Sequence, residues 1–176
     1  MADAISSRSA LIHQMMLAVF GFLLCDRAIT MSAPARTVPV VDLSRLRIGQ
    51  CGAAELAVAE AHTAPRIGSG RIRVLATPVM INLMEAAALD AVEALLPDGH
   101  QSLGIRLDVT HHAATPVGMR VYASARLVGV EGRRLAFEIE ARDEKEVIGA
   151  GRHERVVVNV ARFDQRLEQK SADLKQ

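Results

Sequence analysis

Glu85 sits among Met84, Ala86, Ala87 and Ala88 in ATPVMINLMEAAALDAVEALL, residues 76–96, which otherwise reads as a largely apolar helix. A carboxylate in such surroundings needs a hydrogen-bond partner or a wet cleft, because burying it unpaired costs several kcal/mol or drives its protonation. The same surroundings tend to raise its pKa, which suits a general base or a nucleophile near neutral pH. The alternative is a glutamate facing solvent from an incompletely buried helix, and the residues alone do not choose between them. Asp90, five positions on, falls on another side of the helix and reads as a surface or capping charge.

THHAATP places His111 and His112 where a long strand enters a loop. Strand neighbours point to opposite faces, so at most one of the two can face the helix. Beside a buried carboxylate it would be a general acid or base; otherwise it is a structural histidine. Gly104 interrupts the strand SLGIRL, where β-branched residues are expected. A strand glycine marks either a bulge or a close approach of a ligand to the backbone, and in the second case its N–H could serve an oxyanion. His153, in GAGRHERV, reads as structural, and His62 and His100 lie near turns; none of the three is given a role.

Other chemistries lack support. No GxSxG, P-loop, GxGxxG or HExxH pattern occurs, which leaves serine-hydrolase, nucleotide and metalloprotease readings without residues. Cys25 and Cys51 have neither CxxC spacing nor a neighbouring histidine, so no metal site and no disulfide framework are expected, and a reduced cytosol fits. A formal charge of +1, with no basic run interleaved with aromatics, gives no footprint for nucleic acid.

The elements that must hold these residues can be read from periodicity. GAAELAVAEAHTA, residues 52–64, alternates in part between Gly52 and Pro65 and reads as a strand. Thr77-Pro78 supplies a hydroxyl N-cap and a proline at the first helical position, opening a helix over about 78–96 that stops at Pro97-Asp98-Gly99. Thr77 and Glu85, eight positions apart, then lie about 12 Å apart along the axis on different levels of one face. From residue 101 the texture changes to β-branched alternation. SLGIRLDVTHH, GMRVYASARLVGV, RLAFEIEARD and VIGAGRHERVVVNVARF read as four strands of an antiparallel meander, with hairpin turns at VEGRR and DEKEV. The tail DQRLEQKSADLKQ frays or forms a terminal helix. Apolar residues Val79, Met80, Leu83, Met84, Ala87, Leu89, Ala91, Val92, Leu95 and Leu96 cover more than one stripe of the helix. A sheet curled around the helix, rather than a flat one beneath it, buries such a surface, and that α+β arrangement is the hotdog fold.

The domain is expected over residues 42–165, followed by a polar tail at 166–176. Residues 1–41 read as an N-terminal extension or linker. Within it, MMLAVFGFLLC, residues 15–25, has the length of a secretory hydrophobic region and is too short to span a bilayer. No small-x-small cleavage site follows directly, and Met31 opens a plausible alternative start. A mis-called start or a targeting segment explains it, and a cytoplasmic protein without a stable membrane span is expected.

LATPVMINLMEAAA, SLGIRLDVTHHAATPVGMRV, LVGVEGRRLAFEIEARDEKEVIGAGRHERVVVN and a closing RF together resemble, in order and spacing, the fluoroacetyl-coenzyme A thioesterase-like branch of the hotdog-fold thioesterases. The likeness covers about residues 46–165, and VEGRRL and IGAGRHER are its most specific parts. It implies a homodimer, because hotdog monomers leave a sheet edge open and form active sites between subunits. It also implies a catalytic constellation of Thr, Glu and His with a backbone glycine N–H. Matched residue by residue, these are Thr77, Glu85, His111 and Gly104.

The implied activity is hydrolysis of an acyl-CoA thioester with no cofactor. Glu85 would act as nucleophile, through an acyl-enzyme anhydride, or as a base directing water; His111 would transfer protons. Thr77 would hold the carboxylate or substrate through its hydroxyl, and the Gly104 N–H would stabilise charge on the carbonyl oxygen. Arg71 or Arg73 would meet the coenzyme A phosphates or are ordinary surface arginines. This sequence departs from the fluoroacetyl-specific enzyme in one respect: that enzyme has an aromatic lid just before the Thr, whereas RIGSGRIRVLAT has no aromatic residue. A small or medium acyl group other than fluoroacetyl is therefore expected. The alternatives are a non-catalytic hotdog module binding acyl-CoA or an acyl carrier, and an enoyl-thioester hydratase or dehydratase, which normally uses an Asp/His pair placed differently.

Overall fold

A computed structural model describes residues 40–172 and 174; the apolar run at 15–25 and most of the expected extension lie outside the described residues. Five antiparallel strands form one sheet: β1 (Cys51–Ala57), β2 (His100–His111), β3 (Arg120–Glu131), β4 (Arg134–Asp143) and β5 (Val147–Asn159). A short helix α1 (Ala64–Ile67) leads to the long helix α2 (Thr77–Val92), and α3 (Val160–Ala172) closes the chain. The order across the sheet is β1-β3-β4-β5-β2. This is the α+β hotdog arrangement, with the sheet wrapped on α2. Along β3 as far as Leu127, and along β4, every second residue is buried, among them Leu127, Leu135, Phe137 and Ile139, while Arg126 and Glu138 pair across the outer face. Met80, Leu83, Met84, Ala87, Ala88, Ala91 and Val92 form the buried surface of α2. The alanines let the helix approach closely: a methyl on Gly52 of β1 would lie 2.3 Å from the Ala87 carbonyl oxygen.

Several sequence expectations need correction. The first strand ends at Ala57, and residues 60–62 form a 3-10 turn rather than a continuation, with Pro65 inside α1. The meander holds only for β3, β4 and β5: β2 pairs with β5, leaving its other edge open, because the 112–118 loop carries the chain past the sheet to β3. The last strand ends at Asn159, and the tail is helical from Val160. Helix α2 ends at Val92 and tightens into a 3-10 turn over Glu93–Leu95, before Pro97 prevents its continuation. The N-cap is Ala76 rather than Thr77, and no side chain caps the helix. Thr77 occupies the first turn with its hydroxyl free for another partner.

Candidate active site

Thr77 and His111 meet at one end of α2. The Thr77 Oγ1 lies 2.8 Å from His111 Nδ1. The loop that follows His111 is pinned against the residues preceding Thr77, since the Thr115 carbonyl accepts the Leu75 N–H at 2.8 Å. Buried Thr115 in turn donates its hydroxyl to Asp143 at 3.0 Å. Burial pushes the Asp143 carboxyl up. The Lys145 and Glu146 N–H groups and the Thr115 hydroxyl more than offset that push, and hold it below its ordinary value. Burial lowers the proton affinity of His111, so the imidazole is neutral near pH 7. Its Nε2 is buried and has no hydrogen-bond partner among the described residues. His112 points the other way, as strand alternation requires, and bonds the Val147 carbonyl.

Glu85 lies further along α2 and faces β2 and β5. Its Oε1 is 3.5 Å from Arg155 Nη1 and 3.6 Å from His153 Nε2, with its side chain 32 % exposed. Gly104 lies directly against it: a methyl there would come within 2.3 Å of Oε1. Of the two readings of that glycine the bulge is realised, between Gly104 and Arg106 of the β2–β5 register, and the group against its backbone is the Glu85 side chain. The bulge matters for the site. Gly104 and His111 are an odd number of residues apart and would face opposite sides of a regular strand; the extra residue turns both toward α2, opposite Arg155 and Gly149.

His153 is fully buried beside Glu85. Its hydrogen bonds define its state. Nδ1 bonds the Arg106 carbonyl at 2.9 Å and must donate, so Nε2 keeps a lone pair and accepts from Arg155 Nη1 at 3.1 Å. Burial above all, and then Arg155, push its proton affinity down, which agrees with a neutral ring. The cation facing Glu85 is therefore Arg155, not His153. Arg155 is buried and also holds Ser102, donating from Nε to the hydroxyl at 2.9 Å and from Nη2 to the carbonyl at 2.8 Å. Neither His153 nor Arg155 stood out in the sequence; the signal available was IGAGRHER, whose alternation puts both on one face of β5.

The chain thus makes two pairings, Thr77 with His111 and Glu85 with Gly104. No hydrogen bond or ion pair joins Glu85 to Thr77 or His111. A cleft of about 300 Å³ opens at the Thr77 end, lined by Ala64, Val74, Leu75, Thr77, His111 and Ala113. Arg73 is held by Glu60, and Arg71 is exposed. The His62 and His100 side chains hydrogen-bond only to nearby backbone, at Ala59 and Asp98. Asp90 accepts the Ala53 N–H and ties α2 to β1. Among the described residues no three His, Cys, Asp or Glu side chains converge as metal ligands would, and no helix is long and apolar enough to cross a membrane.

The family of fluoroacetyl-CoA-specific thioesterases matches residues 58–161. A fluoroacetyl-CoA thioesterase from Streptantibioticus cattleyicolor is 44% identical over 98 residues, which cover 56% of this chain and 70% of that protein. A solved structure of a fluoroacetyl-CoA thioesterase superposes with a TM-score of 0.68 at 36% identity, covering 71% of this chain and 97% of the other. A thioesterase superfamily member from Thermus thermophilus superposes at 0.67 with 26% identity, over 74% and 96% of the two chains. With its five-stranded sheet, enclosed helix and matched central segment, the chain belongs to the fluoroacetyl-CoA-specific thioesterase family and is a thioester hydrolase acting on acyl-CoA.

Proposed function

We propose that the protein hydrolyses a small or medium acyl-CoA in a site shared between two copies of the chain, with Glu85 and Gly104 from one and Thr77 and His111 from the other. The observation that carries this is the placement of the Glu85 carboxylate: partly exposed, against the Gly104 backbone, with one buried guanidinium beside it. There it can attack the thioester carbonyl or activate water, while the Gly104 N–H meets the developing oxyanion. His111, neutral and held by Thr77, takes up and returns the proton that the departing thiolate needs. The 300 Å³ cleft has no aromatic lining. It suits an unbranched acyl group better than recognition of fluoroacetate.

Distances support the shared site. Eight helical positions, about 12 Å, separate Thr77 from Glu85, too far for one substrate carbonyl to meet both halves within a chain. Strand β2 has one open edge and exposes Leu103, Ile105 and Leu107. Such an edge favours pairing with a second copy. Antiparallel pairing of two β2 strands about a two-fold axis midway between Gly104 and His111 sets each Gly104 beside the other copy's His111.

Mixing tests this directly. Glu85→Gln and His111→Asn are each expected to cut thiol release from a panel of acyl-CoA substrates by about a hundredfold or more. Denaturing and refolding the two variants together should restore about a quarter of the wild-type rate, since half the dimers are mixed and each mixed dimer has one intact site. No recovery, with mixed dimers shown by mass, would rule out the shared site. Full activity of Glu85→Gln would rule out the role of Glu85.

A further inference from the structure

The structure holds a second carboxylate near the Arg155 guanidinium besides Glu85. Glu93, where α2 gives way to its final 3-10 turn, accepts the Ser102 N–H at 3.1 Å through Oε1 and the Ser102 hydroxyl at 2.8 Å through Oε2. Ser102 is 4% exposed, and its remaining acceptors go to Arg155 Nε and Nη2. That grasp fixes one side of the planar guanidinium and leaves Nη1 to point away from Ser102, to His153 Nε2 and Glu85 Oε1. The groups with ionisable chemistry around this cation are Glu85 and Glu93 from α2 and its final turn, and His153 from β5; β2 contributes only uncharged Ser102 and Gly104.

We infer that Glu93 is a positioning residue for the hydrolysis: through Ser102 it aims Arg155 at Glu85. This rests on the reading that Glu85 is the reacting carboxylate. Losing the tether lets the guanidinium swing and loses its aim.

The test measures kcat and KM for thiol release, together with the 15N signals of the Arg155 guanidinium by NMR, in the full chain. Glu93→Ala and Ser102→Ala should each lower kcat about fivefold at unchanged KM, with exchange-broadened Arg155 signals. A wild-type kcat for Glu93→Ala overturns the inference, even if the melting temperature falls, because a merely structural Glu93 moves stability alone. Should Glu93→Ala fail to fold, the Ser102→Ala result decides, and a wild-type kcat overturns the inference. Glu85→Gln run alongside distinguishes the two failures: an active Glu85→Gln enzyme sinks the underlying reading, whereas an inactive one with a wild-type kcat in Glu93→Ala sinks only the role of Glu93.

Discussion

The two halves of the site, on one helix, are built in opposite ways. Around Glu85 the polar atoms are tied down: Arg155, His153, Ser102 and Glu93 form a connected network with a buried cation. Around His111 there is one neutral hydroxyl–imidazole pair, an exposed Thr77 and a buried nitrogen without a partner. The first half holds a charge where a substrate can use it. The second leaves capacity unspent, at a cost of about 1–3 kcal/mol for an unsatisfied buried nitrogen, and can exchange protons without breaking an ion pair. In the proposed reading this is a division of labour, with charge in one half and proton movement in the other.

The strongest way to break that division is to neutralise the charged half. Glu85→Gln should reduce kcat/KM by about 10³-fold in a thiol-release assay, with the melting temperature kept, since the amide fills the same space. His111→Asn should cost about 10²-fold, and equal losses in the two variants would argue against unequal roles. Gly104→Ala should cost about tenfold in kcat with little change in stability, because the added methyl meets the free end of the Glu85 side chain and displaces it. Gly52→Ala sharpens the point: its methyl meets helix backbone at 2.3 Å, so about 2–3 kcal/mol of stability should go in denaturant unfolding, with the catalytic groups untouched.

The smallest effect concerns pH and stability. Burial holds the proton affinities of His111 and His153 below their ordinary values in the folded chain. The unfolded chain therefore binds the extra protons first, and the stability that depends on neutral rings is complete above about pH 6.5 and lost as pH falls through the lowered folded values. Melting temperatures should drop between pH 7.5 and 5.5, and His153→Asn should flatten part of that slope. A flat wild-type profile would contradict the neutral His153 inferred from its hydrogen bonds.

Much of this was open to reading along the chain. The apolar texture around Glu85 pointed to an enclosed helix, alternation in RLAFEIEARD gave a strand with one wet face, and VEGRR and DEKEV marked the turns that the structure shows. These features are local: a 3.6-residue or two-residue period, or a turn residue, acts within a few positions. Matched motifs supplied Thr77, Glu85, Gly104 and His111, which spacing alone could not group.

What the amino-acid order determined by itself was therefore the long helix, the main strands, their apolar faces and the family. Tertiary structure decided which strands lie side by side, and so that β2 sits at an edge against β5. It also decided that Thr77 gives its hydroxyl to His111 rather than to the helix end, that a bulge turns Gly104 and His111 to the same side, and that Arg155 and not His153 is the cation facing Glu85. The physical reason is common to all of these. Each depends on groups far apart in the chain competing for the same few hydrogen-bond partners, and only the packed sheet and helix determine which group is close enough to win.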